Sequence, residues 1–109
     1  MKIVIVSGGF DPIHSGHISY LKDAKKHGDK LIVALNSDAW LENKKGKSFM
    51  PYLERKVILE NITCVDQVID FEDDDYGSAI NALKKIMNLY PNDEILFANG
   101  GDRDQTKIP

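Results

Sequence analysis

Four short runs of apolar residues divide the chain, and each is followed by polar or glycine-rich residues. The first two runs are continuous, since every position from Ile3 to Val6 and from Leu31 to Leu35 is apolar. Continuous apolar strands rich in β-branched residues are typical of parallel sheets that are buried on both faces. The pattern therefore predicts four strands, at Lys2–Ser7, Lys30–Asn36, Asp66–Phe71 and Glu94–Ala98.

Helical periodicity fills the segments between the predicted strands. It predicts three helices and one short helical turn: Ser15–His27, the turn at Ala39–Asn43, a helix from Pro51 to about Cys64, and one that begins at Gly77 or Ser78. In the helix after Pro51, the predicted buried stripe is Leu53, Val57, Ile58 and Ile62. Strands that alternate with helices favour a Rossmann-like, doubly wound parallel sheet in a single α/β domain.

Composition narrows the classes of protein that fit this pattern. The chain has 109 residues, which suits one domain, and its formal net charge of −3 favours neither nucleic acid nor a membrane surface as a general partner. Its single cysteine, Cys64, excludes an internal disulfide. No apolar segment approaches the roughly 20 residues that a membrane span needs, and no signal peptide is visible. We therefore expect a cytoplasmic location.

Chemistry-bearing residues are concentrated between the first strand and the first helix, in Ser7–His17. Gly8 and Gly9 let the backbone approach a ligand closely, and the N–H groups of such a loop and of a helix start favour anions. His14 and His17 are three residues apart, so they share one helix face and can donate to one phosphate group. This combination predicts a triphosphate-binding site, although two glycines alone are also typical of a tight turn.

A dense basic group follows the second strand, and its members are Lys44, Lys45, Lys47, Arg55 and Lys56. Lysine supplies a point charge and arginine a bidentate fork for phosphate oxygens. One interpretation is a solvent-exposed charged loop. The other is a phosphate-binding segment, because the carboxyl ends of parallel strands meet at one edge of the sheet and converge on one crevice.

Residues 9–17, Gly-Phe-Asp-Pro-Ile-His-Ser-Gly-His, resemble the signature of the cytidylyltransferase-like nucleotidyltransferases. That family includes glycerol-3-phosphate cytidylyltransferase and the heptose-phosphate adenylyltransferases. The resemblance implies that His14 and His17 are catalytic. It also implies that the nucleotide is bound by the residues around them, which are Gly8, Gly9, Phe10, Asp11 and Gly16.

The basic group also carries a resemblance to this family. Leu53-Glu54-Arg55-Lys56 is similar to the segment that follows the mobile basic loop in the glycerol-phosphate and heptose-phosphate enzymes. By this resemblance Lys44 contacts the reacting phosphates and Arg55 holds phosphate, both in catalytic roles. Lys47 is the candidate for a second basic position in the binding site.

Two more segments resemble parts of the substrate cleft in these relatives. Asn99-Gly100-Gly101-Asp102 is similar to a segment that lines the nucleotide pocket, which implies that Gly100, Gly101 and Asp102 bind the nucleotide. Asp38 matches an aspartate that faces the cleft, and an N-cap role for it is about equally expected. The dinucleotide fingerprint G-x-G-x-x-G is absent, which argues against an NAD-dependent dehydrogenase.

The chain departs from the family pattern at two points that affect the site. Gly9 stands where relatives often have Thr or Ser, so this position offers only its N–H. The late Ile-Ser-Ser/Thr-Thr-x-Ile motif, which binds triphosphate in relatives, is missing before Pro109. Two interpretations stay open. Either the nucleotidyltransferase domain at residues 1–109 lacks its C-terminal end in this sequence, or this chain lacks that triphosphate-binding motif.

Together the residues and the resemblance imply nucleotidyl transfer. CMP or AMP passes from CTP or ATP to a small phosphorylated sugar or polyol, of the glycerol-3-phosphate or heptose-1-phosphate type, and pyrophosphate is released. Mg²⁺ is expected to arrive with the triphosphate, and no residue is predicted to ligate a metal. Relatives commonly pair, so a homodimer is expected. The alternative is a nucleotide-sensing module of the same fold that binds without transfer.

Overall fold

A computed structural model describes residues 1–73 and 79–98 of the chain. The elements in chain order are β1 (Lys2–Gly8), α1 (Ser15–Lys25), β2 (Lys30–Leu35), α2 (Asp38–Lys45), α3 (Tyr52–Glu60), β3 (Gln67–Ile69), α4 (Ile80–Leu89) and β4 (Glu94–Ala98). The four predicted strands are confirmed, and the predicted turn after β2 is a helix of 8 residues. Within these ranges no helix is long and apolar enough to cross a membrane.

The four strands form one parallel sheet in the order β3-β2-β1-β4. β1 pairs with β2 on one side, up to the Gly8–Leu35 pair, and with β4 on the other, up to the Val6–Ala98 pair. The chain order reverses between β1 and β4. Ligands of open α/β sheets bind at the carboxyl ends of the strands beside such a switch point.

Helices cover both faces of the sheet, so the prediction of a doubly wound α/β fold is confirmed. Along β1 the side chains alternate between two cores: Val4 and Val6 pack with residues of α1 and α3, and Ile3 and Ile5 pack with residues of α4. All four are 0% exposed. Complete burial of one such side chain contributes about 1.5–3 kcal/mol, which fixes the central strand that carries the loop after Gly8.

The predicted apolar stripe of α3 is wrong in half of its members. Leu53 and Val57 are 70% and 56% exposed, whereas Arg55 and Leu59 are 0% exposed. The helix is turned so that the Arg55 side chain points inward, where three backbone carbonyls accept its hydrogen bonds. Buried polar groups need such partners, and satisfying them leaves Leu53 and Val57 on the outer face.

Candidate active site

An open cavity lies at the carboxyl ends of β1 and β2, between the loop after β1 and helix α2. Its volume is about 470 Å³. The cavity brings together six of the residues that the sequence predicted for the site: Gly9, Phe10, Asp11, His14, His17 and Lys44. Its lining consists of Gly9, Phe10, Asp11, Pro12, His14, His17, Trp40, Leu41, Lys44 and Lys45.

The loop after β1 turns sharply, with one residue in the left-handed backbone region and with glycines where a side chain would not fit. Phe10 has a φ of 50°, in the left-handed region, and its buried ring packs edge-on against the His17 ring, with centroids 5.0 Å apart. A Cβ at Gly8 would lie 3.0 Å from the Phe10 ring, and one at Gly16 would lie 2.9 Å from the His14 ring. Both glycines are therefore needed for the close packing around the two histidines.

The two histidines together cap the start of α1. His14 is the N-cap residue, and its Nδ1 accepts the N–H of Gly16 at 3.0 Å. Nδ1 of His17 accepts the N–H of His14 at 3.1 Å, which completes a reciprocal capping box. Ser or Thr with Glu or Gln usually play these two parts. Here imidazole nitrogens satisfy the same backbone donors.

The cap fixes which ring nitrogen can act as a donor. A nitrogen that accepts a hydrogen bond carries no proton, so a neutral ring bonded in this way bears its proton on Nε2. The rings of His14 and His17 stack with centroids 3.8 Å apart, and both line the cavity. The arrangement therefore supplies two adjacent Nε2–H donors, which suits binding of phosphate oxygens.

Asp11 joins the loop after β1 to the segment that follows α2. Its side chain is 0% exposed, and its carboxylate accepts the N–H groups of Phe49 and Met50, each at 2.6 Å. Lys45 Nζ lies 3.0 Å from the same carboxylate and donates to the Asp11 carbonyl at 2.6 Å. Asp11 therefore holds the loop after β1 against the segment after α2, and we call this set of contacts the Asp11 clamp. The predicted contact of Asp11 with the nucleotide stays a prediction.

The charge of Asp11 is stabilised by these partners. Desolvation by burial is the largest single influence and acts to raise the pKa of Asp11. The hydrogen bonds from Phe49, Lys45 and Met50, with the charge of Lys45, together outweigh it and hold the pKa below its ordinary value. The clamp is therefore ionised near neutral pH.

Arg55 is completely buried beneath the cavity, and its guanidinium contacts four protein acceptors. Nε donates to the Met50 carbonyl at 3.0 Å, and one terminal nitrogen donates to the carbonyls of Gly9 and Asn36, each at 2.8 Å. The other terminal nitrogen donates to Asp38 Oδ1 at 2.7 Å. These contacts join the ends of β1 and β2 to the start of α3.

The contacts of Arg55 and Asp38 give both residues a positioning role. The Arg55 side chain has no exposed surface, and the Asp38 carboxylate also accepts the N–H of Tyr52 at 3.2 Å. The N-cap of α2 is Ser37, whose hydroxyl accepts the N–H of Trp40 at 3.0 Å, so the alternative N-cap interpretation of Asp38 is wrong. The predicted phosphate contact of Arg55 and ligand contact of Asp38 stay predictions.

The lysines of the basic group occupy different surroundings. Lys44 lines the cavity, and its Nζ lies 4.8 Å from the centre of the Trp40 ring. Lys45 and Lys47 both place Nζ over the Phe49 ring, at 4.7 and 5.5 Å. Lys44 therefore shares the cavity with both histidines, as predicted, whereas Lys47 is not part of the lining and its binding role stays a prediction.

Four lining residues were missed in the prediction of the site: Pro12 in the loop after β1, and Trp40, Leu41 and Lys45. The last three belong to α2, where residues four apart share a face. Trp40 is four residues before Lys44, and Leu41 is four before Lys45. Extending the short turn at Ala39–Asn43 to a full helix would have indicated that these pairs lie on neighbouring faces.

Two sets of expectations lie beyond what the structure tests. Gly100, Gly101 and Asp102 are outside the described residues, although they follow β4, whose last residue pairs with Val6. Within residues 1–73 and 79–98, no three His, Cys, Asp or Glu side chains are grouped so as to hold a metal ion. Mg²⁺ carried by the triphosphate stays a prediction.

Comparison with known sequences identifies one family and several similar proteins. The sequence model of the cytidylyltransferase-like family matches residues 5–106. Similar curated proteins include the bifunctional protein HldE of Erwinia tasmaniensis, 42% identical over 112 residues and 93% of this chain, and that of Shigella sonnei, 47% identical over 109 residues and 98% of this chain. The chain spans 23% and 21% of the length of these two relatives.

Solved structures share the fold. A lipopolysaccharide core biosynthesis protein from Thermoplasma volcanium superposes with a TM-score of 0.69 at 24% identity, over 95% of this chain and 99% of that one. A protein with unknown function from Archaeoglobus fulgidus gives a TM-score of 0.54 at 18% identity, over 89% of this chain and 96% of that one. Both likenesses support the α/β architecture with one parallel sheet.

Proposed function

The chain belongs to the cytidylyltransferase-like family, and we propose that it transfers a nucleotidyl group from a nucleoside triphosphate to a phosphorylated sugar. The observation that carries this proposal is the placement of His14, His17 and Lys44 around one cavity at the carboxyl edge of the sheet. Two imidazole donors and an ammonium group suit the charge of the reacting phosphates.

The reaction forms one phosphorus–oxygen bond and breaks another. An oxygen of the acceptor's phosphate attacks the α-phosphorus, and the bond from that phosphorus to the α,β-bridging oxygen breaks. Pyrophosphate leaves with the electron pair of that bond. The second pKa of a phosphate monoester is about 6, so the acceptor is already a nucleophilic anion near neutral pH. Positioning and charge neutralisation are then the main catalytic needs.

Each proposed role follows from the geometry of a described residue. His14 and His17 donate from Nε2 to the oxygens that gain charge as pyrophosphate departs, because their Nδ1 atoms already accept backbone N–H groups. Lys44 neutralises phosphate charge from the facing helix. Bound Mg²⁺ supplies further charge neutralisation on the triphosphate. Asp11 and Arg55 hold the two sides of the cavity together.

We propose ATP as the donor and a sugar phosphate as the acceptor. Support comes from the similarity of the chain's basic segment to that of the heptose-phosphate adenylyltransferases, and from bifunctional HldE proteins that are 42% and 47% identical to the chain. The chain spans less than a quarter of the length of those proteins, so the activities of the whole proteins are not assigned to it. The homodimer and the cytoplasmic location that the sequence suggested stay predictions.

Acceptor-dependent release of pyrophosphate tests this function. The protein is incubated with Mg²⁺ and either ATP or CTP, together with a panel of heptose, hexose and polyol phosphates. We expect release with ATP and a sugar phosphate, and none when the acceptor is left out. Binding of either nucleotide without release for any acceptor would contradict transfer, and would support the nucleotide-sensing module instead.

A further inference from the structure

Part of the cavity wall is aromatic and belongs to α2. Trp40 is the sole tryptophan of the chain, and its half-buried side chain lines the cavity with Leu41. Both side chains pack against Gly9: a Cβ there would lie 2.6 Å from Leu41 Cδ2 and 3.7 Å from Trp40 Cζ3. The absence of a side chain at Gly9 therefore makes room for this wall.

Lys44 shares this wall with Trp40. Its ammonium lies 4.8 Å from the centre of the indole ring, within the distance at which a cation is attracted to an aromatic face. That attraction is only about 0.5–1 kcal/mol at an exposed site. A doubly charged phosphate binds an ammonium group more strongly, so a phosphorylated ligand can draw Lys44 away from the indole face.

The topology divides the cavity into two halves. Open α/β sheets bind their nucleotides at the switch point, which lies here between β1 and β4. Helix α1, which His14 and His17 cap, contacts β4 at this edge, because the Tyr20 hydroxyl donates to the Ala98 carbonyl at 3.2 Å. Trp40 and Lys44 belong to α2, which follows β2 on the opposite side of β1. The half with the aromatic wall is therefore left for the second substrate.

We propose that Trp40 is a specificity-determining residue for the acceptor, and that its indole face receives the ring of a cyclic sugar phosphate. This inference rests on the proposed transfer to a phosphorylated acceptor. The C–H groups on one face of a pyranose ring form a flat apolar surface that packs on an aromatic side chain. Glycerol 3-phosphate has no such face. Lys44 meanwhile exchanges its contact with the indole for the sugar's phosphate.

The sole tryptophan makes this inference directly measurable. Glucose 1-phosphate, glycerol 3-phosphate and inorganic phosphate are each titrated into the wild-type protein while its intrinsic fluorescence is followed. We expect all three to perturb the emission through Lys44, and glucose 1-phosphate to bind about tenfold more tightly than the other two, as a ring contact of this kind contributes. Equal affinity for glucose 1-phosphate and glycerol 3-phosphate would overturn the proposal.

Two variants separate a ring contact from a loss of folding. By calorimetry, Trp40→Leu should lose about tenfold in affinity for glucose 1-phosphate and keep its affinity for inorganic phosphate, whereas Trp40→Phe should keep most of both. Thermal melting checks that both variants are folded. An equal loss for both ligands, or no loss, contradicts a specificity role.

Failure of this inference is distinguishable from failure of the proposed function. Pyrophosphate release is measured on the same samples with ATP and each acceptor. Release that is unchanged in Trp40→Leu for every acceptor overturns the role of Trp40 and leaves nucleotidyl transfer intact. Trp40-dependent sugar phosphate binding without release in the wild-type protein supports the subsite and contradicts transfer.

Discussion

The Arg55 guanidinium donates a 2.8 Å hydrogen bond to the carbonyl of Gly9, a residue of the loop that leads to the two histidines. The same nitrogen donates to the carbonyl of Asn36, at the end of the neighbouring strand. One side chain of α3 thus fixes the relative position of two loops that follow adjacent strands. The cavity is built over this bridge, so we expect its shape to depend on Arg55.

Replacement of Arg55 tests the bridge. Arg55→Met removes the guanidinium donor from three backbone carbonyls and from the Asp38 carboxylate. Breaking one partner of such a buried network costs about 3 kcal/mol or more, so the free energy of unfolding should fall by that amount in a urea titration. Lys84→Met, a change at an exposed lysine of α4, is the control and should unfold as the wild type does. An unchanged midpoint for Arg55→Met would contradict the bridging role.

The cap of α1 makes a prediction about stability. His14→Ala removes the acceptor of the Gly16 N–H and should lower the free energy of unfolding by about 1 kcal/mol. His14→Asn should not, because Asn is among the best N-cap residues. Thermal melting of the two variants side by side measures the difference. Equal loss in both would show that the imidazole contributes through its ring packing and not through Nδ1.

The lowered pKa of Asp11 predicts a loss of stability in acid. A carboxyl whose pKa is lower in the folded protein contributes stability that is fully present above its ordinary value of 3.8 and is lost as the pH falls through the folded value. Asp66 and Asp70 also have lowered pKa values, so the wild type alone does not isolate Asp11. The contribution of Asp11 is therefore measured as the difference in the free energy of unfolding between the wild type and Asp11→Asn.

We expect Asp11→Asn to be less stable than the wild type at pH 7, because one acceptor becomes an amide donor beside two backbone N–H groups. The difference should narrow as the pH falls below 3.8, because the unfolded chain then binds a proton at Asp11 that the folded carboxylate still resists. Urea titrations from pH 7 to pH 3 measure it. A difference that stays constant over this range would show that the charge of Asp11 does not contribute.

Lys44 and Lys45 are adjacent lysines of the basic group with different contacts, so variants of the two form a matched pair. Lys44→Met should lower the rate of transfer by about tenfold or more, since it removes a charge that faces the phosphates, with little change in melting temperature. Lys45→Met should instead lower stability, by at most about 1 kcal/mol, because Lys45 pairs with Asp11. Pyrophosphate release and melting curves of both variants separate the roles. The assignment fails if the two effects are reversed.

The strands, their parallel direction and the meeting of His14, His17 and Lys44 at one edge of the sheet were predictable from the sequence. Continuous β-branched runs such as Ile3 to Val6 indicate buried parallel strands whatever surrounds them. Topology then brings the strand ends together, because parallel strands direct their carboxyl ends to the same edge of the sheet. Those parts of the site needed no knowledge of side-chain packing.

The role of Arg55 in the fold was not predictable in the same way. Charged residues of a helix usually face solvent. The apolar periodicity of α3 also favoured a buried face with Leu53 and Val57, away from Arg55. Its burial depends on the carbonyls of Gly9 and Asn36, which lie 46 and 19 residues away in sequence. Such long-range hydrogen bonds have no local signal. The clamp at Asp11 went unpredicted for the same reason.

The rate of pyrophosphate release by His14→Asn, with ATP and a sugar phosphate at saturation, measures what the paired histidines contribute to transfer. This variant retains the cap and loses the Nε2 donor, and His27→Asn, at an exposed histidine beyond the end of α1, is the control. We expect the rate to fall by about 10² or more for His14→Asn, with ATP binding and melting temperature preserved, and to stay at the wild-type value for His27→Asn. Rates within a few-fold of wild type for both variants would contradict it.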